Sequence, residues 1–113
     1  MFYGCSIKQP NKSESLTIVF KTPAMKFYDR GFLNYYDDYI HLQILNIGVV
    51  VLDLRVYKHK ICKSKFRCME SKEFNKLYLS DGYDKEFLYN LLSRKNIKFK
   101  DKKNHILIKV IKE

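Results

Sequence analysis

Three thiols hold most of the chemistry that this chain offers: Cys5, Cys62 and Cys68. Cys62 and Cys68 enclose Lys63-Ser64-Lys65-Phe66-Arg67, a short basic loop. That spacing suits a disulfide across a hairpin, and two free thiols are the plain alternative. His59 lies three residues before Cys62, which raises a Cys/His metal cluster. Zinc takes four ligands in closely spaced pairs, and His59, Cys62 and Cys68 supply three. No metal is therefore expected. Asp37-Asp38 is read as a solvated turn rather than a paired-carboxylate site. The four glycines are isolated, so no phosphate loop is present, and no Gly-x-Ser-x-Gly elbow occurs. The chain is expected to be non-enzymatic and to carry no cofactor.

An odd thiol in an exported protein needs its own explanation. Around Cys5 the chain reads Phe2-Tyr3-Gly4-Cys5-Ser6. This resembles a bacterial lipobox: an apolar residue at minus three, a small residue at minus one, then Cys and Ser. The small residue lets a signal peptidase approach the bond, and the thiol takes a diacylglyceryl thioether. Cys5 is thus the expected lipidation site. A complete signal peptide also needs a basic start and an apolar stretch, which an in-frame segment of about 12–20 residues upstream of Met1 would supply. One acyl chain holds a protein only marginally, and two or three hold it firmly. Lys8 to Glu14 is polar, and the reading divides the chain into a lipobox-like start and tether, 1–14, and one domain, 15–113.

The basic residues are the second feature. Formal net charge is +10 in 113 residues. Lys far outnumbers Arg, and Ile, Asn, Phe and Tyr are frequent, the usage of an AT-rich bacterial genome. Lys58, Lys60, Lys63, Lys65 and Arg67 form the densest cationic stretch, with Tyr57 and Phe66 interleaved. Such a surface fits anionic lipid or lipopolysaccharide headgroups, or single-stranded nucleic acid. A small nucleic-acid-binding module of the cytoplasm is the alternative that charge alone supports.

The elements that must position these residues follow from alternation and breakers. Hydrophobic residues make up 46% of the chain, which excludes disorder, and no stretch is long enough to be a membrane-spanning helix. Leu16–Lys21 reads as a strand ended by Thr22-Pro23. Met25–Tyr28 reads as a short extended piece closed by a turn at Asp29-Arg30-Gly31. Ile40, Leu42 and Ile44 share one face of a strand, and His41 and Gln43 the other. After a reversal at Asn46-Ile47-Gly48, the faces are Val50, Leu52, Leu54 and Val56 against Asp53 and Arg55. Ser71 reads as a helix N-cap, with Phe74, Leu77 and Tyr78 along one face. Asp84 caps a second helix with Phe87, Leu88, Leu91 and Leu92 inward. A last hairpin joins Ile97–Phe99 to His105–Ile111. The fold class is α+β: a curved antiparallel sheet, a half-open barrel if it curls, with two short helices on one face. Leu16–Phe20 and Ile106–Ile111 are expected as sheet edges open to a partner strand.

From Lys21 to Phe99 this order resembles the outer-membrane lipoprotein LolB and its divergent relatives. Phe27-Tyr28-Asp29-Arg30-Gly31-Phe32 resembles the strand that enters their sheet. Ile44 through Leu54 resembles their central hairpin, and Phe74–Ser80 with Phe87–Leu92 their helical lid. The resemblance implies a protein held at the periplasmic face of the outer membrane by its N-terminal lipid. It implies acyl chains, palmitate among them, resting between sheet and helices; the other expectation is an interaction subunit of an envelope assembly, joined to other envelope proteins through open strand edges. Ser6 after Cys5 is compatible with outer-membrane sorting.

Overall fold

The structure is a computed structural model that describes residues 10–64 and 67–112. Among these residues, eight strands follow in chain order with two helices between the sixth and seventh. They are β1 (Lys12–Lys21), β2 (Lys26–Tyr35), β3 (Tyr39–Asn46), β4 (Val49–Tyr57), β5 (Lys60–Lys63) and β6 (Arg67–Glu70). Then come α1 (Ser71–Tyr78), α2 (Phe87–Leu92), β7 (Lys98–Asp101) and β8 (Ile106–Lys112). All strand pairs are antiparallel, in the order β6-β5-β4-β3-β2-β1-β8-β7. The sheet is curved and does not close, as the α+β expectation required.

Alternation decides what is inside. Leu16, Ile18 and Phe20 of β1, Ile40, Leu42 and Ile44 of β3, and Leu52, Leu54 and Val56 of β4 are all buried on one face. The helices cover that face, α1 against β5 and β6, α2 against β3 and β4. Phe74 from α1 and Leu88, Leu91 and Leu92 from α2 complete one continuous core. Each fully buried large aliphatic side chain contributes roughly 1.5–3 kcal/mol, so this single layer accounts for the fold's cohesion. Tyr35 ties sheet to helix, its hydroxyl donating to the Leu92 carbonyl at 2.9 Å. At the first hairpin, Thr22 Oγ1 accepts from the Ala24 and Met25 amides at 3.1 and 3.0 Å, closing the turn that Pro23 begins.

Several expectations are corrected. Asp29-Arg30-Gly31 is not a turn: β2 runs unbroken through it. A Cβ on Gly31 would stand 2.3 Å from the Gln43 carbonyl oxygen, so glycine is there because β3 passes too close for a side chain. β1 begins inside the stretch read as tether, since Lys12, Ser13 and Glu14 pair with Tyr35, Asn34 and Leu33. Val50 does not join the core. The register shifts at Ile44/Leu45, so Leu45 pairs with Val50 while Ile44 pairs with Leu52. Val51 is the extra residue, and Val49, Val50 and Val51 are all exposed. On α1 the inward face is Ser71, Phe74 and Asn75, while Leu77 points outward. Asn75 earns its buried place by donating from Nδ2 to the Asp84 carbonyl at 2.8 Å, which pins the loop between the helices. Neither helix has a side-chain N-cap: Ser71 and Asp84 do not cap as expected, although Asp84 accepts from the Glu86 amide just before α2. Finally, β1 and β8 are interior strands, each hydrogen-bonded on both sides. The edges among the described residues are β6 and β7.

Candidate functional site

The two hairpin cysteines meet. Cys62 and Cys68 sit directly opposite each other on β5 and β6, and their sulfurs are bonded at 2.02 Å. Both thiols are therefore committed, and His59 faces no free thiolate from this pair. Among the described residues no group of three or more His, Cys, Asp or Glu side chains is placed to hold a metal ion. Cys5 and Lys65 lie outside the described residues.

The cationic stretch is divided by the strand that carries it. Lys60 and Lys63 stand at opposite ends of β5, three residues and roughly 10 Å apart. Lys63 pairs in register with Arg67, and its ammonium lies 5.1 Å from the centre of the Tyr78 ring. Lys58 and Lys60 belong to the other end, at the β4–β5 turn.

That end holds a cleft of about 900 Å³. Four segments that are remote in sequence converge on it: the β2–β3 turn, the β4–β5 turn, the junction of β6 with α1, and the start of α2. The turns contribute Asp37, Asp38, Lys58, His59 and Lys60. The helical side contributes Glu70, Ser71, Lys72, Lys85 and Tyr89. Tyr57 of its lining belongs to a file of rings. Tyr36 stacks on Tyr39 at 4.6 Å between centroids, and Tyr39 meets Tyr57 at 5.0 Å. Lys60 lies 4.6 Å over Tyr57, and Lys58 5.9 Å from Tyr89, both within cation–π range. The chain enters the fold at this same end. The Asn11 amide nitrogen donates to the Tyr35 carbonyl, and its side chain donates to Asp37.

The start of α1 contributes to the cleft's lining. Ser71 donates its backbone N–H to the His59 carbonyl at 3.1 Å. The residue is 1% exposed, and its hydroxyl has no hydrogen-bond partner among the described residues. Buried polar atoms almost always find a partner, so this orphan is unusual.

A second surface lies at the opposite end of the sheet. The β3–β4 hairpin turns through Ile47 at φ 51° and Gly48 at φ 77°, a two-residue reversal with both central residues left-handed. Ile47 is 95% exposed, and Val49, Val50 and Val51 continue the apolar strip along β4. Tyr28 and Phe32 on β2 are exposed as well.

Two polar pairs went unread in the sequence. His41 Nε2 lies 2.7 Å from Asp53 Oδ1 across β3 and β4, on the face away from the core. The Tyr83 hydroxyl donates to Asp101 Oδ2, and Asn104 donates to the same carboxylate from Nδ2. Burial, then the Asp101 hydrogen bond and charge, push the Tyr83 hydroxyl well above the usual phenol range. The same Tyr83 bond, with help from Asn104, holds Asp101 below the usual carboxylate range. Strict strand alternation signals which face such residues occupy, but not which diagonal neighbour they reach.

No protein-family model matches the chain, and comparison with curated proteins and with solved structures finds no similar protein.

Proposed function

We propose that the chain is a non-enzymatic lipoprotein of a bacterial cell envelope, anchored through an acylated Cys5, whose folded domain serves as an interaction subunit of an envelope assembly. The observation that carries this reading is the Cys62–Cys68 bridge. Structural disulfides persist in oxidising compartments and are rare where glutathione keeps thiols reduced. With those two paired, Cys5 is the thiol left for lipid. The lipobox-like Phe2-Tyr3-Gly4-Cys5-Ser6 gives it a chemical reason. Domain entry near Lys12 leaves a few residues between anchor and sheet.

The interaction role draws its support from the apolar strip at Ile47 and Val49–Val51. Contiguous exposed apolar surface marks sites that bind something. The carrier reading, in which a LolB-like trough holds acyl chains, draws on the curved sheet with helices over one face. Against it, the residues between sheet and helices pack on one another: Leu42, Leu54, Phe74 and Leu91 are each no more than 1% exposed. The interaction reading is therefore preferred.

The deciding experiment is mass spectrometry of the protein purified from membranes. The expected mature chain starts at Cys5, carries a diacylglyceryl thioether, and contains one Cys62–Cys68 bridge. A Cys5→Ser variant should leave the membrane fraction. A soluble chain starting at Met1 with three free thiols would overturn the proposal. Native spectra without co-purified acyl chains are expected, and bound fatty acid would restore the carrier reading.

A further inference from the structure

We propose that β7 takes up an extended, acidic segment of a partner protein as the next strand of the sheet, its carboxylates alternating with apolar side chains. The site is the strand edge itself, whatever anchors the chain.

The main-chain half follows from register. Among the described residues β7 is hydrogen-bonded to β8 alone, and the sheet does not close past it. The Val110 amide donates to the Ile97 carbonyl at 3.0 Å, one position before the Lys98–Lys109 pair. Hydrogen-bonded and non-hydrogen-bonded pairs alternate along an antiparallel ladder, so Phe99 and Asp101 turn their N–H and C=O towards β8. Lys98 and Lys100 turn theirs outward, to the open edge. Outward N–H and C=O groups are what an added strand pairs with.

The charge half follows from the two faces of the strand. Lys98 and Lys100 lie exposed on the face away from the core. Lys98 stands directly opposite Lys109, a like-charged pair that works against the sheet. None of Lys98, Lys100 and Lys109 has an ion-pair partner among the described residues. A groove of about 360 Å³ at the start of β7 is lined by Lys95, Lys98 and Lys109, and among the described residues by no carboxylate. A second, of about 340 Å³ at its end, is lined by Lys21, Lys100 and Lys102. The carboxylate there, Asp101, is already held by Tyr83 and Asn104. An added strand sets every second side chain beside these lysines on their own face, so carboxylates at those positions relieve the repulsion. The intervening side chains fall beside Phe99, which is half-buried against Phe87 on the core side. Apolar residues suit those places.

A second copy of this chain does not fit the edge. Joining two β7 strands antiparallel about Phe99 sets Lys98 of each against Lys100 of the other. A shift of two residues sets Lys98 or Lys100 against its own counterpart. The net charge of +10 opposes self-association further. Nucleic acid or anionic lipid would answer the lysines but not the open main chain.

The test is amide-detected NMR of the full chain titrated with a capped peptide of three Glu-Val repeats. A capped peptide of the same composition in the order Glu-Glu-Glu-Val-Val-Val is titrated separately. Saturable shifts centred on Lys98 and Lys100 are expected, with slowed amide exchange at both and a dissociation constant on the order of 1 mM or below. The alternating peptide should bind at least about fivefold tighter than the block peptide. Lys98→Glu with Lys100→Glu should weaken it at least about tenfold. The same variant should admit a peptide of Lys-Val repeats, which the unaltered chain should not bind. Unchanged resonances in β2, β3 and β4 show that the variant is folded. Equal affinity of the unaltered chain for the two acidic peptides overturns the proposal, as does absence of saturable shifts at about 5 mM peptide. Tighter binding at Lys98 and Lys100 of oligothymidylate or of phosphatidylglycerol vesicles than of the alternating peptide overturns it too.

Discussion

Gly31 on β2 lies so close to Gln43 on β3 that the Gln43 carbonyl oxygen occupies the space a Cβ would need, 2.3 Å away. Ile18 Cδ1 closes the other side at 2.7 Å. The nearest obstacle is backbone and cannot rotate away. Gly31→Ala is therefore expected to force β2 and β3 apart and to destabilise the domain by roughly 2–4 kcal/mol, in the range of other overpacked or strained core sites. Urea unfolding checks this. A loss under about 0.5 kcal/mol would show that the strands separate freely here.

Cys62 and Cys68 close a loop of only five intervening residues. Chain-entropy arguments give about 2 kcal/mol for so small a ring. Reduction should lower the unfolding free energy by that amount and leave the fold intact, because the core on β1, β3 and β4 does not involve the bridge. Circular dichroism with and without reductant, followed through thermal unfolding, measures it. Collapse of the spectrum on reduction at room temperature would contradict the expectation.

Ile47 is an exposed β-branched residue held at φ 51°. The left-handed region costs an L-residue about 1–2 kcal/mol, and Asn tolerates it best after glycine. With 95% of its surface exposed, Ile47 recovers nothing from packing. Ile47→Asn is thus expected to stabilise the isolated domain by about 1 kcal/mol, raising its melting temperature by several degrees. If the hairpin tip docks on an envelope partner, the same substitution should weaken that complex. The opposed signs separate a strained turn kept for binding from one with no use.

The strands were legible because their faces alternate. Ile40, Leu42 and Ile44 on β3 and Leu52, Leu54 and Val56 on β4 read directly as core. What failed needed a neighbour to be seen. A glycine inside Asp29-Arg30-Gly31 reads as a breaker until β3 is laid against it. Val50 fits the alternation until a bulge at Val51 displaces it. The stripe of α1 runs through polar Asn75 rather than Leu77, because the loop at Asp84 supplies a partner that periodicity does not record. The candidate site shows the limit most clearly. Lys58 to Arg67 looks continuous in sequence, yet an extended strand separates its ends. The cleft draws Asp37, Lys58, Ser71 and Lys85 from four segments that only the strand order brings together. The Cys62–Cys68 bridge was readable because a hairpin joins near neighbours.

Alkaline pH should expose the role of Tyr35. Burial, reinforced by the charge of Glu14, pushes its hydroxyl up to about 12 from an ordinary value near 10. The folded state thus prefers the neutral phenol, which donates to the Leu92 carbonyl. Stability from this group is full below about pH 10, where the phenol is neutral folded or unfolded. It is lost as pH rises from about 10 towards 12, because the unfolded chain ionises first. The ring is half-buried, so solvent screening reduces the effect to on the order of 1 kcal/mol. Tyr35→Phe should be less stable than the unaltered chain at pH 8, since the Leu92 carbonyl loses its donor. It should also lose less stability on going from pH 9 to pH 11.5. Tyr83, raised in the same direction, ionises late in both proteins and cancels in the comparison. Urea unfolding of the pair at the two pH values gives the difference of differences. Parallel losses would mean that the Tyr35 hydroxyl ionises as readily folded as unfolded, and that its bond to α2 does not hold the sheet to the helix.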